Sequence, residues 1–140
     1  MKNFFKGLGF WLLSLTWGVV MTTVGLVVAL ALMLVGCKPK LFHHYIWFEV
    51  KGMGGGCSLG GVILTSENPS LHTLQHEAGH GIQNTIFGPV FVIISICSFV
   101  RCAYYNYHIK KGTLHTLKPY DSAWYEGGAT RLGTKYFGVK

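Results

Sequence analysis

Residues 71 to 84, LHTLQHEAGHGIQN, contain three side chains whose types and spacing could do chemistry together. His76 and His80 stand four residues apart, and Glu77 follows the first of them. On a helix, positions i and i+4 lie one above the other, so both imidazoles can reach one Zn²⁺ at about 2.0 to 2.1 Å. The HExxH spacing therefore predicts a zinc site with His76 and His80 as ligands and Glu77 as the catalytic base that takes a proton from water.

A third histidine, His72, falls on the same face of this helix. It lies roughly 12 Å along the helix axis from His80 at 1.5 Å per residue, too far for one ion to bind both. We expect His72 to line the site or to hold a ligand in place. The alternative is that all three histidines are surface or core residues that bind no metal.

A catalytic zinc has three protein ligands and an open position for water, so one ligand must come from elsewhere in the chain. The candidates upstream are His43, His44 and Glu49, and those downstream are His108, His115, Asp121 and Glu126. We favour Glu126 because it lies in WYEGGATRLG on a predicted helix. The tail has only one other carboxylate side chain, Asp121.

HEAGH followed by a helix-borne EGGAT resembles the gluzincin class of zinc metallopeptidases, in which a glutamate in an E-x-x-x-D pattern completes the HExxH site. More narrowly, residues 58 to 137 resemble a group of small bacterial membrane proteins with a predicted metallopeptidase motif. The resemblance implies that His76, His80 and Glu126 bind zinc, that Glu77 is the general base, and that a peptide or membrane protein is cleaved. It also implies a bacterial cell membrane as the location.

Thr130 departs from this pattern, since the broader class has an aspartate there that orients a ligating histidine. A hydroxyl at this position can still accept or donate a hydrogen bond, but it carries no charge. Negative charge that develops on the substrate oxygen needs a further donor. The candidates for that donor are Tyr120, Tyr125, His115 and Arg131.

The composition indicates a membrane protein. Half of the 140 residues are hydrophobic and 12% are charged, against roughly 25% charged residues in soluble domains. Residues 8–35 carry no charge and predict one transmembrane helix of roughly 42 Å, longer than the hydrocarbon core of about 30 Å. A cleaved signal peptide is the alternative, and LVGC at 34 to 37 looks like a lipoprotein box at which Cys37 would be lipidated. The apolar core of a signal peptide is usually about 7 to 15 residues long, shorter than this run.

The formal net charge of +7 follows membrane topology rather than nucleic-acid binding. Two basic residues precede the first span, three lie in the loop after it, and seven lie from Arg101 to the end. With both ends cytoplasmic, that gives nine inside against three outside, as the positive-inside rule expects. We therefore predict a lipid bilayer as partner and no nucleic acid.

Residues 45–65 predict a β-hairpin. YIWFEV (45–50) and GVILT (61–65) are rich in strand formers, and the glycines at 52–56 permit a tight turn. An exposed strand beside an HExxH helix can bind an extended peptide at the sheet edge. We predict residues 61–65 as that edge, and the alternative is a strand that only covers the helix.

The remaining chain predicts helices. Ser70 or Asn68 can cap a helix that begins near Leu71 and ends near Phe87, before a break or kink at Gly88-Pro89. The uncharged residues 82 to 100 number 19, just enough to cross a bilayer. Residues 71–107 are thus predicted as the HExxH helix and a second membrane segment, and residues 121–137 as an amphipathic C-terminal helix.

These predictions conflict in one respect, because a spanning segment at 82–100 would place Glu126 on the opposite side of the membrane from the histidines. We expect the second membrane segment to be kinked or re-entrant, although a C-terminal helix that dips into the membrane would also resolve the conflict. The fold class predicted is a mainly α membrane protein, with residues 1–140 as a single membrane-embedded domain. The function predicted is a zinc peptidase, and the alternative is a non-enzymatic membrane protein with a structural zinc site or an accessory role.

Overall fold

The computed structural model describes residues 2–138, with side chains described from residue 6 onward. Within this range the chain is mainly helical with one small sheet, as predicted. The helices are α1 (Lys2–Thr16), α2 (Val19–Leu34), α3 (Leu71–Phe87), α4 (Phe91–Lys111) and α5 (Trp124–Phe137). The strands are β1 (Lys40–Phe42), β2 (Tyr45–Glu49), β3 (Gly56–Leu59) and β4 (Val62–Thr65).

The long apolar run at the start of the chain is broken, which corrects the single helix predicted over residues 8–35. Helices α1 and α2 meet at an angle of 101°. The break lies at Trp17 and Gly18, where the Trp17 indole N–H donates to the carbonyl of Ile86 at 3.2 Å and the Asn84 side chain packs against the backbone of Gly18. Contacts with the end of α3 therefore bend a segment whose sequence contains no proline.

The sheet has the order β1-β2-β4-β3, and β2 and β4 are parallel. The antiparallel hairpin predicted from these two segments is therefore wrong, although both strands were located correctly. The glycine-rich stretch does not join them directly, because it leads into β3, a strand that the sequence did not predict. The hairpins that do form are β1 with β2 and β3 with β4.

The edge of this sheet also differs from the prediction. Strand β4, predicted as the peptide-binding edge, lies between β2 and β3 and is hydrogen-bonded on both sides. Its residues Val62, Ile63 and Thr65 are fully buried. The outer strands are β1 and β3, and of these β3 packs against α3.

Helix α3 begins at Leu71 with Ser70 as its N-cap, as predicted: the Ser70 hydroxyl accepts from the backbone N–H of Thr73 at 3.1 Å. It ends at Phe87, and a single 3₁₀ turn at Gly88–Val90 leads into α4. Through this turn, Leu71–Lys111 runs as one helical segment of 41 residues, so the re-entrant membrane segment predicted from the sequence is wrong.

The tail returns along α4, and this resolves the conflict over Glu126. After the left-handed cap at Gly112, Tyr105 donates from its hydroxyl to the carbonyl of Lys118 at 2.6 Å. Arg101, one turn earlier on α4, donates to the carbonyl of Tyr120 at 2.9 Å. The chain thus runs antiparallel to α4 until α5 begins, and α5 packs against α3.

Small residues let α3 and α5 approach closely. A Cβ at Gly79 of α3 would collide with the carbonyl of Ala129, and a Cβ at Gly133 of α5 would collide with the carbonyl of Gln75. Ala129 is fully buried at this contact. Close approach of the backbones is what brings side chains of the two helices within bonding distance.

One helical segment of the described chain, Leu71–Lys111, is long and apolar enough to cross a membrane. The bent pair α1–α2 would make a second if it forms one broken span. Helix α2, with 16 residues, is about 24 Å long at 1.5 Å per residue, less than the hydrocarbon thickness of about 30 Å.

Candidate metal centre

Helix α3 presents His76, Glu77 and His80 toward α5 and the sheet. Residues four apart lie on one face of a helix, and the two imidazole rings are 4.8 Å apart between centroids. The helix is fixed against the sheet by Tyr45, whose buried hydroxyl donates to the carbonyl of Ala78 at 2.8 Å. The HExxH segment is therefore held at its midpoint as well as at its cap.

Helix α5 supplies Glu126, which is fully buried in its first turn. Its Oε2 lies 3.1 Å from Nε2 of His76 and 3.2 Å from Nε2 of His80. The three candidate ligand atoms all lie within 4.8 Å of one another. The structure therefore brings the three predicted metal ligands together, in a group that could hold a metal ion.

The outer nitrogen of each histidine has a partner that determines its protonation. A carboxylate only accepts, so the Thr130 hydroxyl donates to Oδ2 of Asp121 at 2.9 Å and its lone pairs face Nδ1 of His76 at 2.8 Å. A carbonyl only accepts as well, so the Gln83 amide nitrogen donates to Tyr125 at 2.8 Å. Its Oε1 then accepts from Nδ1 of His80 at 2.8 Å.

Both imidazoles thus carry a proton on Nδ1, and in the neutral form each Nε2 is a lone pair directed at Glu126. Burial raises the pKa of Glu126, but when Nε2 of His76 and His80 carries a proton, its hydrogen bonds to Glu126 outweigh that effect and hold the pKa well below its usual range. Glu126 is therefore ionised. Two nitrogen lone pairs and a carboxylate directed at one point repel one another unless a proton or a metal ion lies between them.

Glu77 lies beside the sheet. Its side chain is 6% exposed, and its carboxylate packs so closely on Gly56 of β3 that any side chain at position 56 would collide with it. The next residue of the strand is Cys57, and burial, with a contribution from the charge of Glu77, raises the pKa of that thiol to about 11. The base candidate therefore sits between the histidines and an outer strand.

Of the four candidate donors for transition-state charge, Tyr120 reaches the cluster. Its hydroxyl donates to Oε1 of Glu126 at 3.3 Å, and its ring lies 6.3 Å from that of His76. Burial, followed by the charge of Glu126, raises the pKa of Tyr120, so its proton is retained. Tyr125, His115 and Arg131 make no hydrogen bond with the three candidate ligands in the described part of the chain.

The other candidates for a third ligand lie elsewhere. His108 pairs with Thr113 at 2.7 Å near the end of α4, and Glu49 pairs with Lys40 at 2.8 Å. His43 and His44 contact the ring of Phe137. His115 is exposed, and Asp121 accepts a hydrogen bond from Thr130. His72 is exposed, with its ring 6.4 Å from that of His76.

Sequence reasoning missed Gln83, although a signal was present. Gln83 lies three residues after His80, on the same helix face, where side chains of residues three apart meet. The link from Thr130 to Asp121 had no such signal, because it depends on how the tail turns before α5.

Comparison of the chain with protein-family models, with curated proteins and with solved structures gives no match. The function proposed below therefore rests on the residues and their geometry.

Proposed function

We propose that the protein is a zinc-dependent peptidase that hydrolyses peptide bonds at or in a membrane. The observation that carries this proposal is the convergence of His76 Nε2, His80 Nε2 and Glu126 Oε2, with both histidines held by outer partners in the form that binds a metal. This is the ligand set that the HExxH motif and its resemblance to gluzincins imply.

The donor set and its spacing favour zinc. Two imidazoles and one carboxylate are typical of catalytic zinc sites. Adjacent ligand atoms in a tetrahedral site with bonds of 2.0 to 2.1 Å are about 3.3 Å apart. The separations of Glu126 Oε2 from the two Nε2 atoms, 3.1 and 3.2 Å, are close to that value.

His76, His80 and Glu126 would hold zinc, which would supply Lewis acidity by lowering the pKa of a water molecule to about 7 and polarising a carbonyl oxygen. Glu77 acts as the general base: it takes the proton of the attacking water and delivers it to the leaving amine. Tyr120, whose hydroxyl donates to Oε1 of Glu126 in the substrate-free protein, turns this donor to the substrate oxygen on which charge develops. Gly56 leaves room for the Glu77 carboxylate beside the sheet.

The substrate is an extended peptide that lies along β3. This strand is at the outside of the sheet, and Gly56, within it, contacts the carboxylate of Glu77. An extended segment that adds to a sheet edge is held by backbone hydrogen bonds, so the scissile bond can be presented with little side-chain specificity. Gly54 and Gly55, just before the strand, are exposed and leave this approach open.

A membrane location is supported by the apolar surface of three helices. Large hydrophobic side chains that are at least half exposed occur along α1, α2 and α4, among them Leu12, Val27, Leu30, Ile93, Ile96 and Phe99. Apolar side chains exposed along three helices are expected to contact lipid or another apolar partner. Helices α1 and α4 contact α3, and α4 also contacts α5. These contacts support a metal centre close to the apolar surface.

The test is metal analysis and peptide cleavage on protein purified in detergent, wild type beside His80→Ala, Glu126→Ala and Glu77→Gln. We expect one zinc per chain in the wild type, loss of zinc in the first two variants, and zinc retained without activity in Glu77→Gln. His115→Ala is the matched control, since His115 is exposed and lies outside the cluster.

The outcomes separate the parts of the proposal. Full zinc content in Glu126→Ala would exclude this carboxylate as the third ligand. Zinc binding in the wild type without cleavage of any peptide in an extended-peptide library would leave a structural metal site and reject the peptidase.

A further inference from the structure

We propose that Asp121 is a positioning residue for the metal centre and acts on His76 through the hydroxyl of Thr130. This inference rests on the proposed metal site. Asp121 is too far along the chain from α3 to have been assigned this role from the sequence, where it was only one of several candidate ligands.

The direction of each hydrogen bond carries the argument. The carboxylate of Asp121 can only accept, so it uses the single proton of the Thr130 hydroxyl, at 2.9 Å. The oxygen of Thr130 is then available only as an acceptor, and His76 must place its proton on Nδ1 to reach it at 2.8 Å. Nε2 is thereby kept free of a proton on the side that faces Glu126.

Without Asp121, the Thr130 hydroxyl could rotate and donate to Nδ1 of His76. The proton of the imidazole would then move to Nε2, where it would block metal binding. Asp121 thus excludes the wrong tautomer, and its negative charge, transmitted through one hydroxyl, favours the imidazole form that donates from Nδ1. Thr130 alone cannot make this choice, because a hydroxyl both donates and accepts.

The carboxylate is itself held by α4. Asp121 lies in the short 3₁₀ turn Tyr120–Ser122, and Arg101 binds both ends of that turn, by donating to the Tyr120 carbonyl at 2.9 Å and to the Ser122 hydroxyl at 3.0 Å. Helix α4 therefore determines the position of the Asp121 carboxylate. His80, in contrast, is oriented by the neutral amide of Gln83, three residues away on the same helix.

The test is a double-mutant cycle read out as zinc affinity, by competition with a chromophoric chelator. Thr130→Val removes the hydroxyl and should weaken zinc binding by about 10- to 100-fold, the range for residues that support a metal ligand. Asp121→Asn should weaken it by several-fold. The double variant should be no weaker than Thr130→Val alone, since Asp121 acts only through that hydroxyl.

Rescue and matched controls separate this role from a loss of folding. Thr130→Ser retains the hydroxyl and should bind zinc within about 3-fold of the wild type. Thr134→Val makes the same change one turn later on an exposed position of α5, and Glu67→Gln removes an exposed carboxylate. Both controls should bind zinc like the wild type. Additive losses in the cycle, or a Thr130→Ser variant as weak as Thr130→Val, would overturn the proposal.

A second readout does not depend on metal. Nitrogen-15 NMR of the metal-free protein, at a pH where the histidines are neutral, should show His76 with its proton on Nδ1 in the wild type. A mixture of tautomers is expected in Thr130→Val and Asp121→Asn. A wild type that binds no zinc but shows the predicted tautomers would reject the proposed function and retain the relay, whereas an Nε2–H tautomer of His76 would reject the relay whatever the affinity for zinc.

Discussion

The contact between α3 and α5 and the outer surface of α1, α2 and α4 have opposite chemistry. Between α3 and α5, glycines and Ala129 allow close approach, and polar side chains are buried: Gln75, His80, Gln83 and Glu126. On the other three helices, leucine, isoleucine, valine and phenylalanine side chains are exposed. A soluble domain has the reverse arrangement, with charged groups outside and apolar groups inside.

This difference explains why the site can form at all. Buried polar groups are stable only when each has a partner, and here the histidines, the glutamines and Glu126 bond to one another or to backbone carbonyls. Polar residues that are buried next to an apolar shell are costly and are usually functional. The contrast predicts that substitutions between α3 and α5 have large effects, and that substitutions on the outer shell have small ones.

The largest effect is expected for Gly79→Ala. The new Cβ would collide with the carbonyl of Ala129 and force α3 and α5 apart, at a cost of about 3 kcal/mol of unfolding free energy. Zinc binding should be lost with it, because Glu126 moves away from the histidines. Chemical unfolding in detergent micelles and metal analysis measure the two effects.

Gly9→Ala is the matched control for this change, since nothing lies within 4 Å of the position that its Cβ would occupy on α1. It should leave zinc binding unaltered and stabilise the helix by roughly 0.5 to 1 kcal/mol. The contrast between the two regions fails if both glycine substitutions behave alike.

Arg101→Met should have the next largest effect, because Arg101 connects the two regions. It donates to the carbonyls of Pro119 and Tyr120 and to the Ser122 hydroxyl, and it stacks on the ring of Tyr105. Loss of these charge-assisted bonds should cost about 2 kcal/mol and weaken zinc binding, as the turn that carries Asp121 is released.

Lys110→Met removes the same charge from an exposed position near the end of α4. Unfolding free energy and zinc affinity should match the wild type in this control. An Arg101→Met protein with unaltered stability would show that the tail does not depend on α4 for its return.

A smaller effect is expected from His44, which lies where α1 meets the sheet. Its ring centroid lies 4.5 Å from that of Phe10. Burial, with a contribution from the charge of His43, lowers the pKa of His44 from 6.5 to about 4. Between these values the unfolded chain binds a proton that the folded protein does not, so stability falls as the pH drops through this window.

His44→Phe should remove this part of the acid sensitivity. The measurement is the unfolding midpoint of metal-free protein at about pH 7.5 and about pH 5, and the drop between them should be smaller in the variant than in the wild type. His115→Phe, at an exposed position, should retain the wild-type drop. An identical drop in all three proteins would contradict the assignment to His44.

The smallest effect is expected for Leu30→Ser on α2, whose side chain is 59% exposed. The free energy of unfolding in detergent should change by no more than about 0.5 kcal/mol, because no packing within the chain is lost. The zinc content should remain that of the wild type. Leu32→Ser is the matched change two residues on, where the side chain packs against Ala29, Phe48 and Val62. It should cost about 2 kcal/mol, and equal costs for both would show that α2 is covered by protein on both faces.

Local patterns in the sequence determined the helix that carries the motif. The i, i+4 spacing of His76 and His80, the Ser70 cap and the end of α3 before Gly88 each depend on residues within a few positions of one another. Glu126 could also be predicted as a ligand from the sequence, because few carboxylates are present and a helix was predicted around it. The sequence alone thus sufficed to propose the three candidate ligands and Glu77 as the candidate base.

Tertiary structure decided everything that depends on contacts between distant segments. Three features join residues 16 or more positions apart in sequence: the parallel pairing of β2 with β4, the bend at Gly18 and the return of the tail along α4. A fourth, the link from Asp121 to His76, passes through Thr130. Periodicity and propensity describe only neighbours along the chain, whereas these contacts depend on which surfaces fit when the whole chain is packed. The sequence therefore named the chemical groups, and the fold determined how they are oriented.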